Sequence, residues 1–164
     1  MDTSLWEFTL ELYGAPGIPD ACLTIQDRHQ ADVTLLIFAA WVGAARRTRL
    51  TPEQAQSAAA AVAEWHSEIV RPLRAVRRRM KTGPWPAPDT ETEALRDRLK
   101  AVEIGAEKIE LLLLESLAPP PGDQPGTQAI RDNLVLVLAP LTGPDLPDET
   151  TAALDRLVQA AAEL

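Results

Sequence analysis

An all-α fold, a single-domain bundle of six or seven helices containing a long antiparallel helical hairpin, is predicted by three features of the sequence. The first is residues 31–45, ADVTLLIFAAWVGAA, an apolar run with no charge after Asp32. A helix apolar all round has to be covered by other helices, and about 13 residues fall short of the roughly 20 that span a bilayer. The second is a pair of long seams, over 58–80 and 95–113, whose apolar residues recur at steps of three and four. The third is composition: 46% hydrophobic, 24% charged and 4% aromatic, a globular balance without the β-branched and aromatic enrichment of strands. At 164 residues the chain is one domain's worth and can bury about two-thirds of its unfolded surface.

The elements follow in order. Asp2, Thr3 or Ser4 can cap a first helix running to about Tyr13, with Leu5, Phe8 and Leu12 on one face and Gly14 and Pro16 ending it. A short second helix over Pro19–Arg28 carries proline in its tolerated first turn and brings Cys22, Ile25 and Gln26 together. The apolar run is the third helix and the expected centre of the core, with Asp32 as its N-cap. Thr51-Pro-Glu-Gln opens the fourth, whose seam is Ala58, Val62, Trp65, Ile69, Leu73, Val76 and Met80. Pro72 lies inside that pattern, so a kink is expected near Glu68–Pro72. A stiff connector, TGPWPAPD, leads to a fifth helix with its seam at Leu95, Leu99, Val102, Ala106, Ile109 and Leu113.

Residues 1–117 therefore read as the bundle core, 118–126 (APPPGDQPG) as a proline-rich linker, and 127–164 as a C-terminal helical pair, Thr127–Leu141 and Pro147–Leu164. Such a pair is too small to be stable alone. Docking on its own core is expected, because Leu111, Leu112 and Leu114 need covering, and a monomer is the favoured state.

Composition also excludes function classes. A net charge of −8 argues against general nucleic-acid binding. The start, MDTSLWEF, lacks a basic region followed by a long apolar one, so a cytoplasmic location without membrane association is expected. The single cysteine, Cys22, allows no internal disulfide. Thirteen Arg against three Lys, with abundant Ala and Pro, suggest a source rich in G and C.

Several constellations bear on function. Arg71, Arg74, Arg77, Arg78, Arg79 and Lys81 crowd the end of helix four, and with the seam as placed most of them point away from helix five. They offset the helix macrodipole there and form an exposed basic face able to hold an acidic protein or a phosphate-bearing ligand. Glu103, Glu107 and Glu110 lie at i, i+4 and i+7 among apolar neighbours, a solvated stripe or a set paired with the helix-four arginines. A ferritin-type metal site would need Glu-x-x-His from two helices, and neither occurs, so no metal and no cofactor is expected. His29 and His66 lack a nucleophile tied to them by motif. Trp6, Trp41 and Trp65 line the core or wall a pocket for a flat or apolar ligand. Asp27 has no capping duty and, if buried, would pair with Arg74 or Arg77.

Two functional expectations result. The leading one is a non-enzymatic binding or regulatory protein whose basic face, at Arg71, Arg74, Arg77, Arg78 and Lys81, holds an acidic partner. The alternative is a helical enzyme or small-ligand binder with a pocket among Trp6, Tyr13, Asp27, Trp41, His66, Glu103 and Glu107. Neither names a catalytic residue.

Trp6, Tyr13, Cys22-Leu23, Gln26-Asp27, Asp32-Val33, Leu35-Leu36, Phe38 and Trp41, then Trp65, Pro72-Leu73-Arg74, Arg77-Arg78, Glu103 and Ala106-Glu107, together resemble an uncharacterised proteobacterial family, domain of unknown function 2390. The resemblance spans roughly residues 4–117. Two departures from that family's pattern are Thr34 in place of Asn and the lack of a Gly before Asp32. The resemblance implies a small bacterial helical protein without an assigned activity, and so carries over no catalytic residue.

Overall fold

The computed structural model describes residues 3–164, and every regular element within them is a helix. In order these are α1 (Leu5–Gly14), α2 (Ile18–His29), α3 (Val33–Ala44), α4, α5 (Thr90–Ser116), α6 (Gly126–Thr142) and α7 (Asp148–Ala162). Helix α4 runs unbroken through Pro52–Trp65, a π-helical turn at His66–Val70, and Arg71–Arg79, which makes seven helices among the described residues.

Local chemistry sets the helix starts. Ser4 caps α1 in a capping box with Glu7, Thr51 caps α4 with Gln54, and Asp89 caps α5 with Thr92; each pair satisfies backbone donors that an open first turn would leave free. Asp2, another of the three residues expected as a cap for α1, lies outside the described residues. Gly17, at φ +79°, turns the chain into α2 through a left-handed conformation that suits glycine.

Helix α3 is the centre of the core. Ten of its 12 residues are buried, so neighbours cover it on all sides. Its main cover is α6: a Cβ on Gly43 would sit 2.4 Å from the backbone nitrogen of Ile130, so the two backbones meet directly. Ile130, Leu134 and Leu138 of α6 pack into the same core as Leu36, Phe38 and Trp41. Asn133, the one asparagine in the chain, clamps the contact. Its Nδ2 donates to the carbonyls of Ala39 (3.2 Å) and Thr48 (2.9 Å), and its Oδ1 accepts from the Leu50 N–H (2.8 Å). The proline-rich linker lies along the α3–α4 connection, with the Gly122 N–H donating to Arg46 O and the Gln124 N–H to Arg47 O. Helix α7 closes the far side, packing against α2 and α6 with Leu154, Leu157 and Val158 buried.

Helices α4 and α5 form the hairpin, pinned where Trp65 Nε1 donates to Ala106 O at 3.0 Å. The expected seams need correction. Val76, Leu95, Val102 and Ile109 are each more than half exposed, and Ile69 and Leu113 are exposed as well. The side chains turned inward are one residue further along: His66, Val70, Arg74 and Arg77 on α4, Glu103 and Glu110 on α5.

Pro72 explains the shift on α4. A proline has no N–H to give and its ring crowds the carbonyl four residues back, here Glu68. The widened π turn relieves both, with the Arg71 N–H bonding to His66 O, five residues back. One residue is accommodated without a partner in the α pattern, and everything after it rotates on the helix surface. The outcome at Pro72 is a bulge within a continuous helix.

Candidate functional site

The polar interior of the hairpin has two parts. The first is an ion network. Glu103 accepts from Arg74 Nε at 2.9 Å, from Arg77 Nη2 at 3.2 Å and from Arg77 Nε, while Glu107 accepts from Arg74 Nη2 at 2.5 Å. The Arg74 and Glu103 side chains are 13% and 6% exposed. Burial works to raise the Glu103 carboxyl, but the Arg77 and Arg74 guanidiniums outweigh it and hold Glu103 below the usual carboxylate range. At Glu107 burial wins: its carboxyl lies above the ordinary value, since Arg74 only partly offsets desolvation and Glu103 adds repulsion.

Beside this network, between α1, α2, α4 and α5, is a cavity of about 420 Å³. Trp6, Leu10, Leu23, Ile37, Ile104 and Leu111 line its apolar part, and Arg74, Arg77, Arg78, Lys100, Glu103 and Glu107 its polar part. Tyr13 and Cys22 also face it. Burial pushes the Cys22 thiol up to about 12, which removes it as a nucleophile at neutral pH. The Tyr13 phenol is likewise raised, chiefly by burial.

The second part is the cluster of Asp32, His66 and Glu110. His66 Nδ1 lies 3.3 Å from Asp32 Oδ2 and 3.4 Å from Glu110 Oε2, and the Glu110 side chain is wholly buried. Asp32 is also the N-cap of α3. Its Oδ1 accepts from the Thr34 N–H (2.9 Å), the Thr34 hydroxyl (2.7 Å) and the Leu35 N–H (3.4 Å), which turns Oδ2 towards the cluster. Burial pushes Asp32 up to about 7, with Glu110 adding to the rise and His66 and Thr34 opposing it. At Glu110 burial also acts upward, but the contact with His66 outweighs it and holds the carboxyl below its ordinary value. At His66 burial opposes the charged imidazolium, and the two carboxylates more than compensate, so its pKa is raised.

The residues expected to form one basic face are dispersed. Arg74 and Arg77 point inward to α5, Arg71 Nη2 bonds Gln30 Oε1 at 2.9 Å, and Arg78 Nη1 pairs with Asp27 Oδ1 at 3.1 Å; Arg79 and Lys81 are exposed. Asp27 is thus an exposed partner of Arg78, not a buried partner of Arg74 or Arg77.

Of the seven pocket residues named from the sequence, Trp6, Tyr13, Glu103 and Glu107 line the large cavity. Asp27 and His66 line a smaller neighbouring cleft of about 220 Å³ that shares Gln26, Arg74 and Arg78 with it. Trp41 belongs elsewhere. Fully buried in the core, it packs on Phe38 with ring centroids 6.3 Å apart and donates from Nε1 to Thr3 O at 2.9 Å.

Sequence reasoning noticed Asp32, His66 and Glu110 separately and did not unite them. They come from the start of α3, the middle of α4 and the far half of α5, so no spacing could join them. The available signal was Glu110 among apolar residues on a helix that had to pack.

A family model described as a protein of unknown function (DUF2390) matches residues 4–114, a range that holds both polar clusters and stops before α6. No curated protein and no solved structure matches the chain. The match covers more than half of the sequence, and the chain belongs to that family.

Proposed function

We propose that this protein binds a small amphipathic anion in the cavity between α1, α2, α4 and α5. One observation carries the reading: an apolar pocket of about 420 Å³ has a polar end lined by four cations, Arg74, Arg77, Arg78 and Lys100, against two carboxylates, Glu103 and Glu107. The volume falls in the range of small-molecule sites. With Arg78 paired to Asp27, Lys100 supplies the one positive charge in excess, which favours an anion, and a guanidinium's five N–H donors outnumber the contacts that the glutamates make with it. An apolar ligand body would lie on Trp6, Leu10, Leu23 and Ile104.

The probe for this reading is 1-anilinonaphthalene-8-sulfonate, an aromatic sulfonate, titrated into the full chain. Saturable binding is expected that weakens with salt, falls about tenfold or more in Lys100→Glu, and is lost in Leu10→Trp, which fills the mouth of the pocket. Parental affinity in both variants would refute it.

A second reading is an acidic macromolecular partner at the end of α4, favoured by the exposed Arg79 and Lys81 beside Arg71 and Arg78. It differs in its prediction: Arg79→Glu combined with Lys81→Glu abolishes capture of an acidic polypeptide and leaves the naphthalene sulfonate bound.

A further inference from the structure

We propose that Asp32, His66 and Glu110 form a mononuclear site for a divalent transition-metal ion, with Zn²⁺ as the best geometric match. Each residue offers one ligand atom, and the three atoms lie within 4.8 Å of one another. Two edges of the triangle, 3.3 and 3.4 Å from His66 Nδ1 to the two carboxylate oxygens, match the ligand-to-ligand edge of a tetrahedral zinc centre. With bonds of about 2.0–2.1 Å that edge is about 3.3–3.4 Å. Octahedral Mg²⁺ at similar bond lengths would need edges nearer to about 2.9 Å, and Ca²⁺ wants six to eight oxygens rather than an imidazole.

An independent observation also points to a ligand. Asp32 Oδ2, one of the three ligand atoms, and Glu110 Oε1, the carboxylate oxygen beside the ligating Oε2, are both buried without a hydrogen bond; Oδ2 meets the His66 ring at 3.3 Å, and the Glu110 side chain has no exposure at all. Such atoms in a dry interior call for a cation or a donor. The supporting shell is in place as well. Thr34 holds Asp32 by its other oxygen through two hydrogen bonds, the arrangement that fixes a ligating carboxylate. His66 opens the π turn, a feature often found where a helix is bent to serve a site. Arg74, the cation whose charge reaches His66, is tied to Glu103 and Glu107. Three protein ligands leave a fourth tetrahedral position, and of the three His66 also lines the cleft of about 220 Å³.

The expectation of no metal rested on the missing Glu-x-x-His pair, a rule for two ligands on one helix. Here three separate elements each supply one.

The full chain, stripped with a chelator, is titrated calorimetrically with Zn²⁺ and followed by visible absorption with Co²⁺. One ion per chain is expected, with intense tetrahedral cobalt bands and a rise in melting temperature. Glu110→Gln and His66→Gln should each weaken binding about 100-fold or more, the upper end of what loss of a mere supporting partner costs, while His29→Gln binds as the parent. Absence of Zn²⁺ and Co²⁺ binding by the parental chain would overturn the site, as would parental affinity in His66→Gln. Should a variant fail to fold by circular dichroism, the cobalt spectrum of the parental chain decides: tetrahedral bands support the site, and their absence rejects it.

Discussion

Around α3 the buried surface is built from Leu36, Phe38 and Trp41 with Ile130 and Leu134 of α6, whereas the facing sides of α4 and α5 bury His66, Glu103 and Glu110 and leave Val76, Val102 and Ile109 more than half exposed. The first region has the interior that hydrophobic burial alone would select. The second buries charge, and a buried ion network adds little net stability because desolvation consumes most of the Coulombic gain. Its polar interior is better explained by what it holds than by what it stabilises. The α3 bundle is the support, and the hairpin carries both of the sites proposed above.

That contrast breaks most severely if α6 is removed. Deleting residues 119–164 uncovers the side of α3 that Ile130, Leu134 and Leu138 pack against. The truncated chain should lose its cooperative thermal transition and aggregate on size-exclusion chromatography, although the family match ends at residue 114. A truncated protein as stable as the full one would place the support elsewhere.

Single core substitutions come next. Leu36→Ala or Phe38→Ala should cost about 2–5 kcal/mol in denaturant unfolding, because α3 is enclosed and the site cannot collapse. A cost below about 1 kcal/mol would mean that α3 is not the centre.

Acid titration sharpens the other side of the comparison. The Glu103 carboxyl lies below its ordinary value of 4.5 when folded. Its contribution to stability is therefore present above that value and is lost as pH falls through the lower folded one. Glu107 has the opposite sign: its folded pKa is raised, so the stability it contributes is present below 4.5 and lost as pH climbs through the folded value. Melting temperature followed from about pH 7 down to about pH 3 should fall less steeply at the acid end in Glu103→Gln than in the parent. An unchanged acid limb would separate the ion network from stability altogether.

The smallest effect is expected on the outer ridge of the hairpin. Val102→Ser and Ile109→Ser, at positions 56% and 54% exposed, should change stability by about 0.5 kcal/mol or less. A cost comparable to that of Leu36→Ala would show that this ridge is covered in solution.

Much of the fold was legible because it follows from interactions close in sequence. The capping boxes at Ser4 and Thr51 join residues three apart, and α3 announces itself by having no polar face to expose. The hairpin's existence was legible for the same reason, since both seams have a helical period. Its orientation was not. The seam Trp65, Ile69, Val76 is the most apolar line on α4, and choosing it assumes a regular helix whose most apolar face is buried. The π turn before Pro72 breaks the first assumption. The pairing of Arg74 and Arg77 with Glu103 and Glu107 breaks the second, because charges that neutralise one another can occupy an interior that single charges cannot.

By itself the sequence determined an all-helical chain, its helix starts, its central apolar helix and its membership of a family, since propensity, capping and periodicity act within a few residues and need no tertiary partner. Only the tertiary structure decided which face of the hairpin turns inward, that Asn133 locks α6 over α3, and that Asp32, His66 and Glu110 meet. Those three residues are separated by 34 and 44 positions, and no local interaction relates them. They come together because α5 packs against both α3 and α4, which brings the start of α3 and the middle of α4 to the same stretch of α5, and the polar groups at that point are arranged by one another rather than by their neighbours in the chain.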